Sequence, residues 1–330
     1  MTDLRVKYMG LELPGPVIAG SCGLTGTLEN IEKLERAGAG AVILKSIFEE
    51  QIEEETLRVF KAGFGEGDPF PGAIDYVREY ARSHTLQQHA ELTREAKRRL
   101  SIPVIASVNC FSDGEWISFA RELEKAGADA LELNIFVFPT DEFAGSAAVE
   151  EEYVKIVKAT RALVNVPLGV KIAPWFTHLP SFARKLRGAG ASAITLFNRL
   201  VDPDIHVETL RVSANDSLFS RPGDARSILR WTGILAGKDG KGEVSASTGV
   251  HDGETVVKLL LAGATSVQVC SVLYERGTGV IEELNGYVAG WMERNGFASV
   301  DAFRGMLSYA AINNPALYER AQFIKYFSNH

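Results

Sequence analysis

Ala37-Gly38-Ala39, Ala126-Gly127-Ala128, Ala189-Gly190-Ala191 and Ala262-Gly263-Ala264 are four copies of one mark of punctuation. Each closes a stretch with helical spacing and opens a short run: Ala41-Val42-Ile43-Leu44, Ala130-Leu131-Glu132-Leu133, Ala193-Ile194-Thr195-Leu196 and Ser266-Val267-Gln268-Val269. These runs are rich in β-branched or bulky residues and mostly apolar on both faces, as the strands of a buried parallel sheet are. They predict repeated helix-to-strand steps. Each run ends in polar residues, Lys45-Ser46, Asn134, Asn198-Arg199 and Cys270-Ser271. In a barrel of parallel strands those ends carry the active site.

Working outward, Val17-Ile18-Ala19-Gly20, Pro103 to Val108, Leu168-Gly169-Val170-Lys171-Ile172 and Glu243-Val244-Ser245-Ala246-Ser247 bring the strands to eight. Helical spacing runs over Leu28 to Ala37, Tyr76 to Leu100 and Trp116 to Ala126. Leu4 to Pro16 reads as a hairpin or lid, because Met9-Gly10 and Pro14-Gly15-Pro16 punctuate alternating residues. Ile47 to Gly72 breaks the rhythm and predicts a long loop over the barrel mouth, its acidic half equally readable as a solvated helix. A second excursion covers Leu200 to Arg226, and Ile281 to His330 reads as closing helices over the outside or base of the barrel. No G-x-G-x-x-G fingerprint follows the first strand, so a doubly wound open sheet is the weaker alternative. The expected architecture is α/β, a (β/α)8 TIM barrel with an N-terminal hairpin or lid and C-terminal closing helices, forming one domain over 1–330.

The 330 residues are 46% hydrophobic and 23% charged, with a formal charge of -7. Such a chain has no broad basic field for nucleic acid, although backbone amides and a lysine still suffice for a local phosphate site. The amino terminus alternates charged and apolar residues, without the unbroken apolar stretch of a signal peptide or membrane span. A cytoplasmic protein that binds neither nucleic acid nor membrane is expected. Cys22, Cys110 and Cys270 form no close pair of the kind that ligates zinc or iron–sulfur clusters, so they read as small buried residues and no metal is expected.

Two turns near the carboxyl end carry chemistry. Ser247-Thr248-Gly249-Val250 follows the seventh strand, and Cys270-Ser271 precedes the short helical stretch Val272 to Gly277. Small residues there let backbone amides approach an anion, as in the phosphate sites after strands seven and eight of many barrels; either turn alone needs no more than turn-forming chemistry. Lys45 and Lys171, at the ends of two strands, call for anionic partners if desolvated. A barrel lysine also serves as a Schiff-base nucleophile, which keeps an aldolase-type lyase in view. The amides of Asn134 and Asn198 instead suit a planar heterocycle. Lysine, amides and phosphate cradle together are the set a flavin needs.

On these residues the chain resembles the dihydroorotate dehydrogenase family, FMN-dependent (β/α)8 barrels of pyrimidine synthesis, over nearly its whole length. The matching stretches are Ala19-Gly20-Ser21, Gly38-Ala39-Gly40-Ala41 through Lys45-Ser46, Glu132-Leu133-Asn134, Pro167 to Lys171, Ser247 to Val250 and Ala262 to Thr265 through Cys270-Ser271. The resemblance implies that Ala19, Gly20, Lys45, Ser46, Asn134 and Lys171 hold the isoalloxazine and ribityl parts of FMN. By the same resemblance Ser247, Thr248, Gly249, Cys270 and Ser271 hold its phosphate, and Lys45 and Asn198 also face a small-molecule substrate. A homodimer, and a partner protein supplying any iron–sulfur centre for electron transfer, are likewise implied.

The departures lie on the substrate side. The family's catalytic loop after strand four reads Asn-Leu-Ser-Cys-Pro-Asn, with cysteine or serine as the base; here it reads Asn134-Ile135-Phe136-Val137-Phe138-Pro139-Thr140-Asp141. The family's Asn-Ser-x-Gly-x-x-Asn substrate loop is also missing from Phe64 to Gly72. Phe136 and Phe138 read as an apolar lid or as packing against helices. Thr140, Asp141, His178 and Cys110 are the candidates for a replacement acid or base. This pattern is similar to the dihydroorotate-dehydrogenase-like subgroup with an altered catalytic loop. Expected is an FMN oxidoreductase taking hydride from dihydroorotate or a related small cyclic anion. The alternatives are a divergent flavoprotein acting as electron-transfer subunit and the lyase.

Overall fold

The computed structural model describes residues 2–64, 73–109, 113–199, 201–214, 218–239 and 242–319. An antiparallel hairpin, β1 (Val6–Tyr8) and β2 (Leu11–Leu13), comes first. Strand and helix then alternate: β3 (Val17–Ala19), α1 (Leu28–Arg36), β4 (Val42–Ile43), β5 (Ile47–Phe48), α2 (Glu49–Phe64), α3 (Ala73–Arg99), β6 (Val104–Asn109), α4 (Asp113–Lys125), β7 (Ala130–Asn134), α5 (Ser146–Arg161), β8 (Leu168–Ile172), α6 (Leu179–Gly188) and β9 (Ala193–Leu196). A second hairpin, β10 (Pro203–His206) and β11 (Arg211–Ala214), interrupts the alternation before α7 (Ala225–Asp239), β12 (Glu243–Ser247), α8 (Gly253–Ala262), β13 (Ser266–Val269), α9 (Ser271–Arg276), α10 (Val280–Asn295) and α11 (Ala316–Glu319). The sheet runs β4-β3-β13-β12-β9-β8-β7-β6-β5, and β4 pairs β6 as well, which closes it. With β4 and β5 counted as two pieces of one strand, this is a closed (β/α)8 barrel whose neighbouring strands are all parallel.

The Ala-Gly-Ala marks work through one hydrogen-bond pattern used four times. Gly38, Gly127, Gly190 and Gly263 adopt φ of +87°, +100°, +112° and +114°, and the alanine after each donates its N–H five residues back, to Leu34, Leu123, Leu186 and Leu259. This is the six-to-one bond of a Schellman cap, which ends a helix and turns the chain back toward the sheet. The outward faces of the strands pack on the helices. Val104, Leu133, Val170, Ile194, Val244 and Val267 are buried against residues such as Leu34, Phe119, Val157, Phe182 and Leu260.

The inward faces correct the expectation of strands apolar on both sides. Glu132 Oε2 on β7 accepts from Thr195 Oγ1 on β9 at 2.9 Å and from Gln268 Nε2 on β13 at 2.7 Å. None of these strands is adjacent to another, so the three side chains meet across the lumen. Ser107, Ser245, Ser266 and Lys171 are buried on the same set of positions.

The hairpin is not a lid over the mouth. Met9 N–H donates to Glu243 at the start of β12, the Met9 sulfur is the atom a Cβ on Gly169 would meet at 3.2 Å, and the wholly buried Tyr8 places its hydroxyl beside Thr195 and Ser245. The hairpin therefore plugs the amino-terminal end. The acidic stretch after β5 forms helix α2 rather than a loop, because Ile52 and Thr56, one turn apart, are buried while neighbouring acids face water; its continuation, 65–72, lies outside the described residues. Residues 303–315 are a run of turns rather than helix, tied to the outside of the barrel by Leu307 N–H on Leu261 O and Tyr309 N–H on Gly233 O.

Candidate active site

At the carboxyl end the second strand bends between its two halves. Leu44 N–H still reaches Ile105 O at 2.8 Å, but Lys45 N–H turns to Thr25 O at 3.2 Å and Ser46 N–H to Ser21 Oγ at 3.0 Å. The Ser46 hydroxyl is buried between Ser21 Oγ at 3.0 Å and Ser107 Oγ at 2.7 Å. Lys45 stands behind this chain of hydroxyls, its methylenes against Gly26, and its cation joins burial in lowering His89 on α3 to about 4.

A cleft of about 800 Å³ opens beside these residues. Its walls include Ser21, Lys171, Asn198, Ser247, Thr248, Gly249, Cys270 and Ser271, so the two glycine- and serine-bearing turns do share one site with the β8 lysine. Thr248 and Gly249 are consecutive left-handed residues, φ +83° and +77°, with Thr248 Oγ1 donating to Phe197 O at 3.2 Å. A Cβ on Gly249 would lie 2.3 Å from the Ala225 nitrogen, so this turn is seated directly on the first residue of α7. That brings the positive end of a 15-residue helix to the cleft. Ser271 Oγ accepts from Ser220 N–H at 2.9 Å, and Phe219 stacks on Tyr274, so the end of the second excursion roofs this side. Gly20, whose N–H donates to Val269 O, and the wholly buried Ala19 contribute backbone only.

Lys171 is 7% exposed and makes no hydrogen bond or ion pair with any described residue. Asn134 is its neighbour across the β7–β8 ladder. The Oδ1 atoms of Asn134 and Asn109 are buried without a donor among the described residues. A lysine and acceptors buried in this way, without partners among the described residues, are chemically suited to bind a polar ring.

A second cleft of about 650 Å³ adjoins the first through Asn198, Arg199 and Thr248, and is otherwise walled by Pro174, Trp175, Phe197, Asp202, Asp224, Ser227 and Ile228. Phe136 and Phe138 pack edge-on to Trp175, with centroids 5.6 and 5.1 Å away. The altered loop thus joins the loop after β8 in an aromatic cluster. Thr140 and Asp141 are exposed beyond it and do not line either cleft. His178 is the N-cap of α6, its Nδ1 accepting from Ser181 N–H at 3.2 Å. Cys110 lies outside the described residues.

The sequence marks Ser21 and Arg199 only as members of a matching stretch and a polar strand end, and it gives Ser107, Ser220, Trp175, Gln268 and Tyr274 no place in the site. A signal was present for the lumen: Glu132 and Asn134, Ser245 and Ser247, and Gln268 and Cys270 are spaced by two, the period of one strand face. Among the described residues no helix is long and apolar enough to cross a membrane, and no three His, Cys, Asp or Glu side chains gather as metal ligands.

Comparison with known proteins places this geometry in context. Residues 3–215 match the family model described as dihydroorotate dehydrogenase. The chain is 23% identical to the catalytic subunit of dihydroorotate dehydrogenase B (NAD(+)) of Thermoplasma volcanium, over 93% of this chain and 99% of the relative. Against the corresponding subunit of Pyrococcus furiosus it is 26% identical, over 92% and 98%. It is 27% identical to the chloroplastic dihydropyrimidine dehydrogenase (NADP(+)) of Arabidopsis thaliana, over 92% of this chain and 76% of that one.

Proposed function

Because the chain belongs to the dihydroorotate dehydrogenase family, we propose that it is an FMN-dependent dehydrogenase oxidising a CH–CH bond of dihydroorotate or a related small cyclic anion. The observation that carries this reading is Lys171, buried and without a hydrogen-bond or ion-pair partner among the described residues, opening on the same cleft as the Thr248-Gly249 and Cys270-Ser271 turns. The residues fit FMN. The left-handed pair at Thr248 and Gly249 bares backbone amides on the end of α7 for a phosphate, and the unpartnered Asn134 Oδ1 is free to accept from a ring N–H.

Bound FMN supplies a two-electron acceptor for hydride. Lys171 would lie against the ring and offer a buried positive charge to it. Ser46, held by Ser21 and Ser107, and the backbone at Ala19 and Gly20 orient the ring and ribityl chain, with Lys45 behind them. Ser247, Cys270 and Ser271 complete the phosphate side. Asn198 stands between the two clefts and orients the substrate, while Phe136, Phe138 and Trp175 keep water from its far side. Thr140, exposed beyond the aromatic cluster, has no part in this reading.

Family membership weighs against the lyase and against a role in electron transfer alone. The reading extends to one domain over 1–330, working as a cytoplasmic homodimer that hands its electrons to a partner protein; sedimentation of the FMN-loaded chain tests the dimer. The activity is tested by anaerobic addition of dihydroorotate to the FMN-supplemented, desalted protein. Bleaching of the visible flavin bands is the expected result. Flavin that only dithionite reduces turns the search to other dihydropyrimidines, and a chain that retains no flavin rejects the reading.

A further inference from the structure

Two cysteines from opposite ends of the chain meet at the cleft. β3 pairs in parallel with β13, Ala19 opposite Val269, so Cys22 in the turn after one strand lies beside Cys270 at the end of the other. Both are half-buried free thiols lining the cleft. The Cys270 sulfur reaches the Ser21 carbonyl at 3.7 Å, and a Cβ on Gly20 would fall 2.6 Å from it, so the absence of a side chain at Gly20 is what admits that sulfur between the two turns.

The surroundings of Cys22 are those of a held thiolate. Around its sulfur stand the Cys270 thiol, the backbone N–H groups of Leu24 and Thr25 and the Tyr274 hydroxyl. The neighbouring Cys270 foremost, and then the two amides, outweigh burial and draw Cys22 down to about 6; the neighbouring Cys22 and burial push Cys270 upward. The two sulfurs, side by side on one cleft, are thus shifted in opposite directions, Cys22 toward thiolate and Cys270 toward thiol.

We propose that Cys22 is a peroxide-reactive thiolate and Cys270 its resolving partner, a modification site for hydrogen peroxide or small organic hydroperoxides. The Cys22 sulfur attacks one peroxide oxygen; an S–O bond forms, the O–O bond breaks, and the departing oxygen takes a proton from Tyr274, which solvent restores. Sulfur loses two electrons to become sulfenic acid and the peroxide is reduced to water or alcohol. The Cys270 sulfur then attacks that of Cys22 as it gives up its proton; the S–S bond forms, the S–O bond breaks, and water leaves. Two thiols and one peroxide become one disulfide, one water or alcohol and a second water. The bond ties the turn after β3 to the turn after β13.

The reduced full-length protein, as purified and again after FMN loading, is given one equivalent of hydrogen peroxide, alkylated and mapped by mass spectrometry. The expected product is about 2 Da lighter, carries a Cys22–Cys270 cross-linked peptide with Cys110 still alkylated, and reverts with dithiothreitol. The Cys270→Ser variant is expected to stop at a sulfenic acid about 16 Da heavier on Cys22, captured by dimedone. In the wild type Cys22 should react at least about tenfold faster than Cys110. Alkylation of both Cys22 and Cys270 after the peroxide is consumed, or a disulfide through Cys110, overturns the proposal. None of these readouts depends on turnover or on the identity of the substrate.

Discussion

The two ends of the barrel lumen hold similar polar side chains and treat them in opposite ways. At the amino end Ser266 is hydrogen-bonded to Ser245, Thr195 to Glu132 and Glu243 to the hairpin, whose wholly buried Tyr8 seals them in. Unpartnered atoms begin at the Glu132–Gln268 layer, where each side chain leaves its Oε1 unsatisfied, and continue through Asn109 and Asn134 to Lys171. A buried polar group that is satisfied belongs to the architecture, and one that is not implies a missing partner. The contrast separates structure from function within a single lumen, using side chains of the same chemical type.

The sharpest way to break that comparison is Lys171→Met. At the carboxyl end it should slow substrate-driven bleaching of FMN by roughly 10²–10³-fold, the scale seen when one charge-stabilising donor is lost. Urea unfolding of the flavin-free variant should meanwhile occur at the same or a higher midpoint, because an unpaired buried ammonium contributes nothing to stability. A large drop in that midpoint would mean that Lys171 has a structural partner. At the opposite end Tyr8→Phe should do the reverse, costing about 1–2 kcal/mol in denaturant unfolding for the loss of a buried hydroxyl set beside Thr195 and Ser245, while leaving FMN affinity unchanged.

Gly249→Ala sharpens the comparison at the phosphate turn. The added methyl would lie 2.3 Å from the Ala225 nitrogen, so the turn must lift off α7. FMN affinity, followed by quenching of flavin fluorescence, should fall about tenfold or more. The smallest effect is expected at Glu243, which burial holds above the usual carboxylate range despite the Met9 N–H it accepts. The native state then binds the proton more tightly than the unfolded chain, so stability declines as pH rises from the ordinary value of 4.5 through the raised one. Glu243→Gln keeps an acceptor for Met9 and should flatten that part of the thermal-melting profile while raising the melting temperature slightly at neutral pH.

The eight strands and their order could be read from the chain because the Ala-Gly-Ala caps and strand runs are local signals, each complete within about ten residues. The plug at the amino end could not. Met9 and Tyr8 alternate like any hairpin, and only closure of the barrel brings them to Glu243 and Thr195. Glu132, Thr195 and Gln268 looked like isolated polar residues in apolar strands; their meaning lies in a contact that spans non-adjacent strands. Much of the site could be read because strand ends converge by topology, which is how Lys171, Asn198, Thr248 and Cys270 reach one cleft. The aromatic cluster was only half visible, since Phe136 and Phe138 stood out in the altered loop but Trp175 had no motif to mark it.

The hairpin that seals the amino end also sets a timetable. Met9 finds its acceptor 234 residues later in the chain. During synthesis β1 and β2 emerge long before β12 exists, so Tyr8 and Met9 must stay unseated until the 234 residues that follow Met9 have been made. Such long-range closure is slow and leaves apolar surface bare in the interval. The hairpin is therefore made well before its seat, and a nascent chain arrested short of Glu243 will hold an open, unplugged sheet with apolar surface exposed.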